Sequence, residues 1–207
     1  MSEFKEVPAS KFSISMRKLV QGIGINNANY MTNLKINGKE YRCPFYLAWR
    51  GMLRRCYDPI YHRTQPTYIG CTVAVEWHEF INFKAWMTKQ DWKNKQLDKD
   101  IIIQGNKIYS PLNCVFVSHD INKLLNTNAA KRGGYPLGVT FNKKAGKYQS
   151  QCTVNGRKTK YLGLFTTPEL AHNAYKKFKY ELIANISMLQ PEPIKSALLK
   201  YVIREMK

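Results

Sequence analysis

From Phe45 onward, apolar residues recur at intervals of three and four through Ala48, Trp49, Met52, Leu53 and Cys56, which predicts a helix with one buried face. Arg50, Arg54 and Arg55 fall off that stripe, and they either grip phosphate or form a solvated face. Residues 1–40 show little periodicity and many turn formers (Gly22, Gly24, Asn26, Asn27), so they predict an arm followed by a short hairpin about Asn37-Gly38. Beyond a polar, proline-containing stretch at 58–66, residues 72–75 predict a strand and 76–86 a helix. Trp77, Phe80, Ile81 and Ala85 would form the core side of that helix, together with Phe83 or Trp86. Next come an extended run at 97–103, a turn at Gln104-Gly105-Asn106, a second extended run at 109–117 and a helix capped by Ser118 that carries Ile121, Leu124 and Leu125.

The carboxy-terminal pattern switches to alternation. Three extended runs (138–142, 147–154, 159–164) are separated by turn sequences at 143–146 and 155–158, which predicts a three-stranded antiparallel sheet. Alternation sets Gln149, Gln151 and Thr153 on one face against Tyr148, Ser150, Cys152 and Val154 on the other. Thr167-Pro168-Glu169 supplies a cap, a first-turn proline and an early acid for a helix whose Leu170, Ala171, Ala174, Tyr175, Phe178 and Leu182 face covers the apolar side. A last helix, from 194 to about 206, has a stripe of Ile194, Ala197, Leu198, Tyr201 and Val202 that packs on the amino-terminal domain or on a second copy.

The fold class is therefore α+β: an amino-terminal helical region with a ββα hairpin-helix unit, then a three-stranded antiparallel sheet packed on one helix. The expected divisions are 1–40, 41–126, a small, polar linker at 127–135, 136–185 and 186–207.

Charge narrows the function. Thirty-three Lys and Arg against fourteen Asp and Glu give a formal net charge of +19, which points to a polyanionic partner. A hydrophobic content of 44% excludes a disordered basic tail. No window offers the roughly 18 apolar residues of a membrane span, and the amino terminus lacks the apolar stretch of a secretory signal, so an intracellular location is expected. Five widely spaced cysteines argue against a disulfide framework. A zinc site from Cys43, Cys56, Cys71 and His62 would match no common finger spacing, and buried reduced thiols are the better reading. Between Asp120 and Glu169 there is no acidic residue, while Lys123, Lys131, Arg132, Lys143, Lys144, Lys147, Arg157, Lys158 and Lys160 all fall inside. That one-signed surface predicts double-stranded DNA as the partner.

Gly138-Val139, Gly146-Lys147-Tyr148 and Tyr161-Leu162-Gly163-Leu164-Phe165 before the Thr-Pro-Glu helix start resemble the Apetala-type, or ethylene-response-factor, DNA-binding domain. The resemblance implies that the uncovered sheet face enters the major groove. Thr140, Asn142, Gln149, Gln151, Thr153, Thr159 and Tyr161 would then read bases, with Lys143, Lys144, Lys147, Arg157 and Lys160 on phosphates. Where that family presents arginines to guanine this chain has Leu137, Thr140 and Thr153, so its amides would favour adenine.

Upstream, Leu97-Asp98-Lys99-Asp100, the run from Gly105 through Asn113-Cys114, and Ile121-Asn122 resemble the core of phage-type H-N-H homing endonucleases. Trp49, Met52, Arg55-Cys56-Tyr57, Val75-Glu76-Trp77 and Phe80 resemble that family's upstream region. The resemblance implies metal-dependent cutting or nicking of DNA by a monomer, in the host cytoplasm if the gene belongs to a phage. Asn113 would tie the hairpin loop, Asp98, Asp100 and Asn122 would surround Mg²⁺ with Asp100 and Asn122 as the principal ligands, and His119 or Asp100 would act as base. The motif's first histidine is missing, and Lys99 or Asp100 stands in its region. The rival reading is a non-enzymatic DNA-binding regulator or architectural protein on a degenerate nuclease scaffold.

Overall fold

The computed structural model describes residues 4–125, 134–154 and 158–205. Two compact units emerge, Met1–Phe116 and Val117–Lys207. The division falls inside a strand, ahead of the linker read at 127–135, and 127–133 of that linker lie outside the described residues.

In the first unit, α1 (Lys11–Ser15) is followed by the hairpin β1 (Asn33–Ile36) and β2 (Lys39–Arg42). Asn37 and Gly38 both take positive φ at its turn, as a tight two-residue hairpin loop requires. The arm is packed, contrary to its weak periodicity. Arg17 donates to the carbonyls of Asn26, Ala28 and Tyr30, and Ala28 and Tyr30 are buried.

Helix α2 (Pro44–Tyr57) begins with a proline at its first position and buries the expected Trp49, Met52, Leu53 and Cys56. The polar stretch after it contains the short helix α3 (Pro59–Thr64), capped by Asp58 Oδ1, which accepts from the amides of Ile60 and Tyr61. Those bonds to the ionised form, together with Arg54, hold the Asp58 carboxyl below its ordinary range.

Helix α4 runs Phe80–Thr88, starting later than position 76. The arm takes up the backbone there: Ile25 N donates to His78 O and Phe80 N donates to Ile25 O, leaving Val75–Trp77 as a 3-10 turn. Trp77, Phe80, Phe83 and Met87 are buried, whereas Ala85 is exposed. Rings interlock across the core, with Trp77 4.6 Å from Trp86 and Phe80 5.3 Å from Tyr46, and the Trp49 indole donates to Trp77 O at 2.7 Å.

The expected hairpin at 97–117 is rearranged. Strand β4 covers only Gln96–Asp98, and the second run splits into β5 (Ile108–Tyr109) and β6 (Val115–Val117). β5 pairs in parallel with β3 (Thr72–Val73), while β6 pairs with β4. Pro111, which has no N–H for a ladder, lies in the break, where the amides of Asn113 and Cys114 both turn back to Ser110 O.

In the second unit, α5 (His119–Leu125) is capped by Ser118 Oγ, which accepts from Ile121 N at 3.3 Å. Then β7 (Val139–Asn142), β8 (Lys147–Val154) and β9 (Lys158–Phe165) form an antiparallel sheet in that order, as expected. Helix α6 (Pro168–Ser187) starts where Thr167 Oγ1 accepts from Leu170 N, and α7 (Ile194–Glu205) packs along α6. α7 therefore finds its partner within its own unit. Its Ile194, Ala197, Leu198 and Val202 are buried, as are Ile183 and Ser187 of α6. Leu170, assigned to the buried face, is half exposed, whereas the adjacent Ala171 is fully buried.

Among the described residues no helix is long and apolar enough to cross a membrane.

Candidate nucleic-acid interface

One face of the β7–β9 sheet is closed by α6. Val139, Ser150 and Cys152 are buried there with Ala171 and Tyr175, and burial pushes the Cys152 thiol upward. Contact is close enough to dictate Gly138: at φ +80 its backbone suits glycine, and an added Cβ would overlap the Tyr175 ring. The His172 ring bonds the Leu137 carbonyl at 2.9 Å, tying the start of β7 to the helix.

The other face is open, and register decides its membership. Thr140 lies opposite Gln149 and Gln149 opposite Leu164; Asn142 lies opposite Lys147, Gln151 opposite Tyr161, and Thr153 opposite Thr159. These directly paired residues project to the same side. Thr140, Thr153, Thr159 and Tyr161 are exposed, and Asn142, Gln149 and Gln151 are partly so. The seven base-reading candidates are thus brought together on one surface. Leu164 joins them unannounced, because a bulge at the Ser150/Gln151 pairing shifts the register of β9 by one residue. Simple alternation from Tyr161 would have placed Gly163 there.

The amides form a directed string. Asn142 Oδ1 accepts from Lys144 N and Ala145 N, at 3.1 Å each, which fixes its orientation. Its Nδ2 then donates to Gln149 Oε1 at 3.5 Å, and Gln149 Nε2 donates to Gln151 Oε1 at 3.2 Å. At the β7–β8 end of this string the exposed Lys143, Lys144 and Lys147 supply positive charge, and Lys158 and Lys160 are exposed on β9. Lys158 pairs opposite Val154 and Lys160 opposite the buried Cys152, so both leave the sheet on the helix side. Arg157 lies outside the described residues.

The endonuclease-like candidates give a different picture. Asp98 Oδ1 accepts from the amides of Asp100 (2.9 Å) and Ile101 (2.8 Å), so it closes a turn. Desolvation, then the neighbouring Asp100 charge, pushes its carboxyl up to about 6. Asp100 accepts from the buried Lys99 ammonium at 3.0 Å. The positive charge beside this carboxyl pair is thus the protein's own. One oxygen of each carboxylate is already engaged, Asp98 Oδ1 by two backbone amides and Asp100 Oδ2 by an ammonium. Asp98 and Asp100 belong to the first unit, whereas His119 and Asn122 lie on α5 in the second. Among the described residues, no three His, Cys, Asp or Glu side chains form a group that could hold a metal ion. Asn113 donates its backbone N–H to Ser110 O within the turn before β6.

The loop-tying role falls to Asn106. Its Nδ2 donates to Lys99 O (2.6 Å) and Ile108 O (2.7 Å), and its Oδ1 accepts from Ile108 N (3.1 Å). Its place after Gly105 marks it as a turn former, and nothing in that pattern marks the cross-loop bonds. Arg55 departs from both readings of its helix: Nε donates to Tyr109 Oη at 3.0 Å, and the guanidinium lies over the Tyr68 and Tyr109 rings. All five cysteines are buried and free. Desolvation pushes the Cys56 and Cys114 thiols up to about 12, and the His62 ring bonds the Arg55 carbonyl.

No protein-family model matches the chain, and neither a curated protein nor a solved structure matches it significantly.

Proposed function

We propose that this chain binds double-stranded DNA by laying the open face of its β7–β9 sheet in the major groove. The observation that carries this is the sheet's asymmetry: one face is sealed by α6, and the other presents hydroxyls, amides, Tyr161 and Leu164, with Lys143, Lys144 and Lys147 at its β7–β8 end. Strands of a β-ribbon or sheet can enter a B-form major groove about 12 Å wide, while the A-form groove of duplex RNA is too narrow. The lysines would neutralise phosphates, and the uncharged centre would meet base edges. The protein acts where DNA is, inside the cell, as a monomer.

Binding is the whole of the reading. Asp98 and Asp100 hold a turn and the Lys99 ammonium, so the amino-terminal unit serves as a scaffold related in pattern to nucleases, with no cutting step assigned to it. The test is fluorescence anisotropy of a labelled duplex titrated with protein across a salt series. Affinity should fall steeply with salt, and Lys143→Ala or Lys147→Ala should each reduce the log-log slope by about one. A flat salt response, or duplex RNA competing as well as duplex DNA, would overturn the proposal.

A further inference from the structure

We infer that the open sheet face selects adenine–thymine over guanine–cytosine pairs, with Gln151 as the adenine reader and Tyr161 and Leu164 as the thymine-methyl contacts. This rests on the DNA-binding reading above and adds which sequences are preferred and which atoms decide it.

Each base pair shows a distinct pattern in the major groove. Adenine offers an acceptor at N7 beside a donor at N6, and its partner thymine offers a carbonyl and a projecting methyl. Guanine offers two acceptors, which best suit a guanidinium or ammonium fork, and cytosine adds an amino donor with no methyl. Among the described residues the central face holds amides, hydroxyls and apolar groups, with Lys147 at its edge and no arginine or carboxylate. That chemistry matches adenine and thymine.

Register sharpens the match. Gln149 stands directly opposite Leu164, and Gln151 directly opposite Tyr161, so each amide has an exposed apolar partner one strand away. Leu164 is 38% exposed and Tyr161 55%. An A·T pair demands this combination, an acceptor-donor edge for one base and an apolar surface for the other's methyl.

The amide string sets the polarity. Asn142 is oriented by two backbone amides, and the bonds from Asn142 to Gln149 and on to Gln151 pass that orientation along β8. Gln151 uses one lone pair of Oε1 to accept from Gln149. Its second lone pair and its Nε2 hydrogens then form an acceptor-donor edge. That edge is complementary to adenine N6–H and N7. Against guanine its carbonyl oxygen would face the O6 acceptor without a donor, which is a repulsive element.

The test uses the full chain and four alternating duplex polymers, poly(dA-dT), poly(dA-dU), poly(dG-dC) and poly(dI-dC), as competitors for one labelled duplex. Uracil removes only the methyl, and inosine removes only guanine's minor-groove amino group, so an I·C pair looks like G·C from the major groove and like A·T from the minor groove. The expected order is poly(dA-dT) first, poly(dA-dU) weaker by at least about threefold, and poly(dG-dC) and poly(dI-dC) together, at least about tenfold weaker than poly(dA-dT). Gln151→Leu, an outward substitution, should bring the A·T and G·C affinities within about threefold while leaving the salt slope unchanged. Equal affinity for all four polymers would overturn the inference and leave backbone binding standing. Poly(dI-dC) competing like poly(dA-dT) would overturn it in favour of minor-groove contact. Failure of every duplex to compete would remove the DNA-binding reading itself.

Discussion

Substituting Gly138 by alanine tests how the sheet is held on α6. At φ +80 an L-residue is strained by about 1–2 kcal/mol, and the new Cβ would also overlap the Tyr175 ring, an overpacking that costs about 1–3 kcal/mol. The expected total is about 2–5 kcal/mol, a large share of the roughly 5–14 kcal/mol available to a unit of this size. Gly146→Ala is the control, because φ there is +60 and no atom of the described residues lies within 4 Å of the added Cβ, so only the backbone strain applies. All four tryptophans (Trp49, Trp77, Trp86, Trp92) lie in the first unit. Tryptophan fluorescence therefore follows that unit alone, and far-UV circular dichroism follows both. In urea titrations, Gly138→Ala should lower the transition seen by circular dichroism and leave the tryptophan transition unmoved, with Gly146→Ala showing the smaller shift. Equal shifts for the two variants would refute the Tyr175 contact as the cause, and a matching loss in the tryptophan signal would refute its confinement to the second unit.

Other outcomes follow from the turns and the core. Asp98 has a folded pKa of about 6, above its unfolded value near 3.9, so the native state binds the extra proton between those values and stability should fall as pH rises from about 4 to 6. Asp98→Asn keeps an oxygen for the two amides, so it should flatten this profile and stabilise the protein at pH 7 by roughly 1–3 kcal/mol; an unchanged pH profile would contradict the assignment. Asn106→Ala should cost about 2–4 kcal/mol through three lost hydrogen bonds, and Asn106→Asp more, since a carboxylate would face two carbonyl oxygens; chemical denaturation gives both values. Ser150→Ala should be neutral or stabilise by about 1 kcal/mol, because its buried hydroxyl has no hydrogen-bond partner among the described residues, and a loss above that size would reveal one. Supercoiled plasmid incubated with the protein and Mg²⁺ or Mn²⁺ should stay uncut; metal-dependent relaxation abolished by Asp100→Ala would restore the endonuclease reading.

The amino-acid sequence by itself determined the local elements whose chemistry is written in adjacent positions. Alternation from Val139 to Phe165, the turn formers of the β7–β8 loop, the Thr167-Pro168 start of α6 and the Asn37-Gly38 hairpin turn all express short-range sterics and solvation, and each was legible. The stripe of α2 was equally plain, yet it names a buried face without naming what covers it. Tertiary structure alone decided that β5 leaves its expected hairpin for β3, that Arg55 packs on Tyr68 and Tyr109, that Asn106 ties the 99–108 loop, and that α7 lies on α6. It also decided the composition of the candidate reading face, because one extra residue in β9 exchanges the sides of everything beyond it and puts Leu164 where alternation would put Gly163. Periodicity reports how often a side chain meets the interior; which partner it meets depends on contacts between residues far apart in the chain, and no local pattern encodes them.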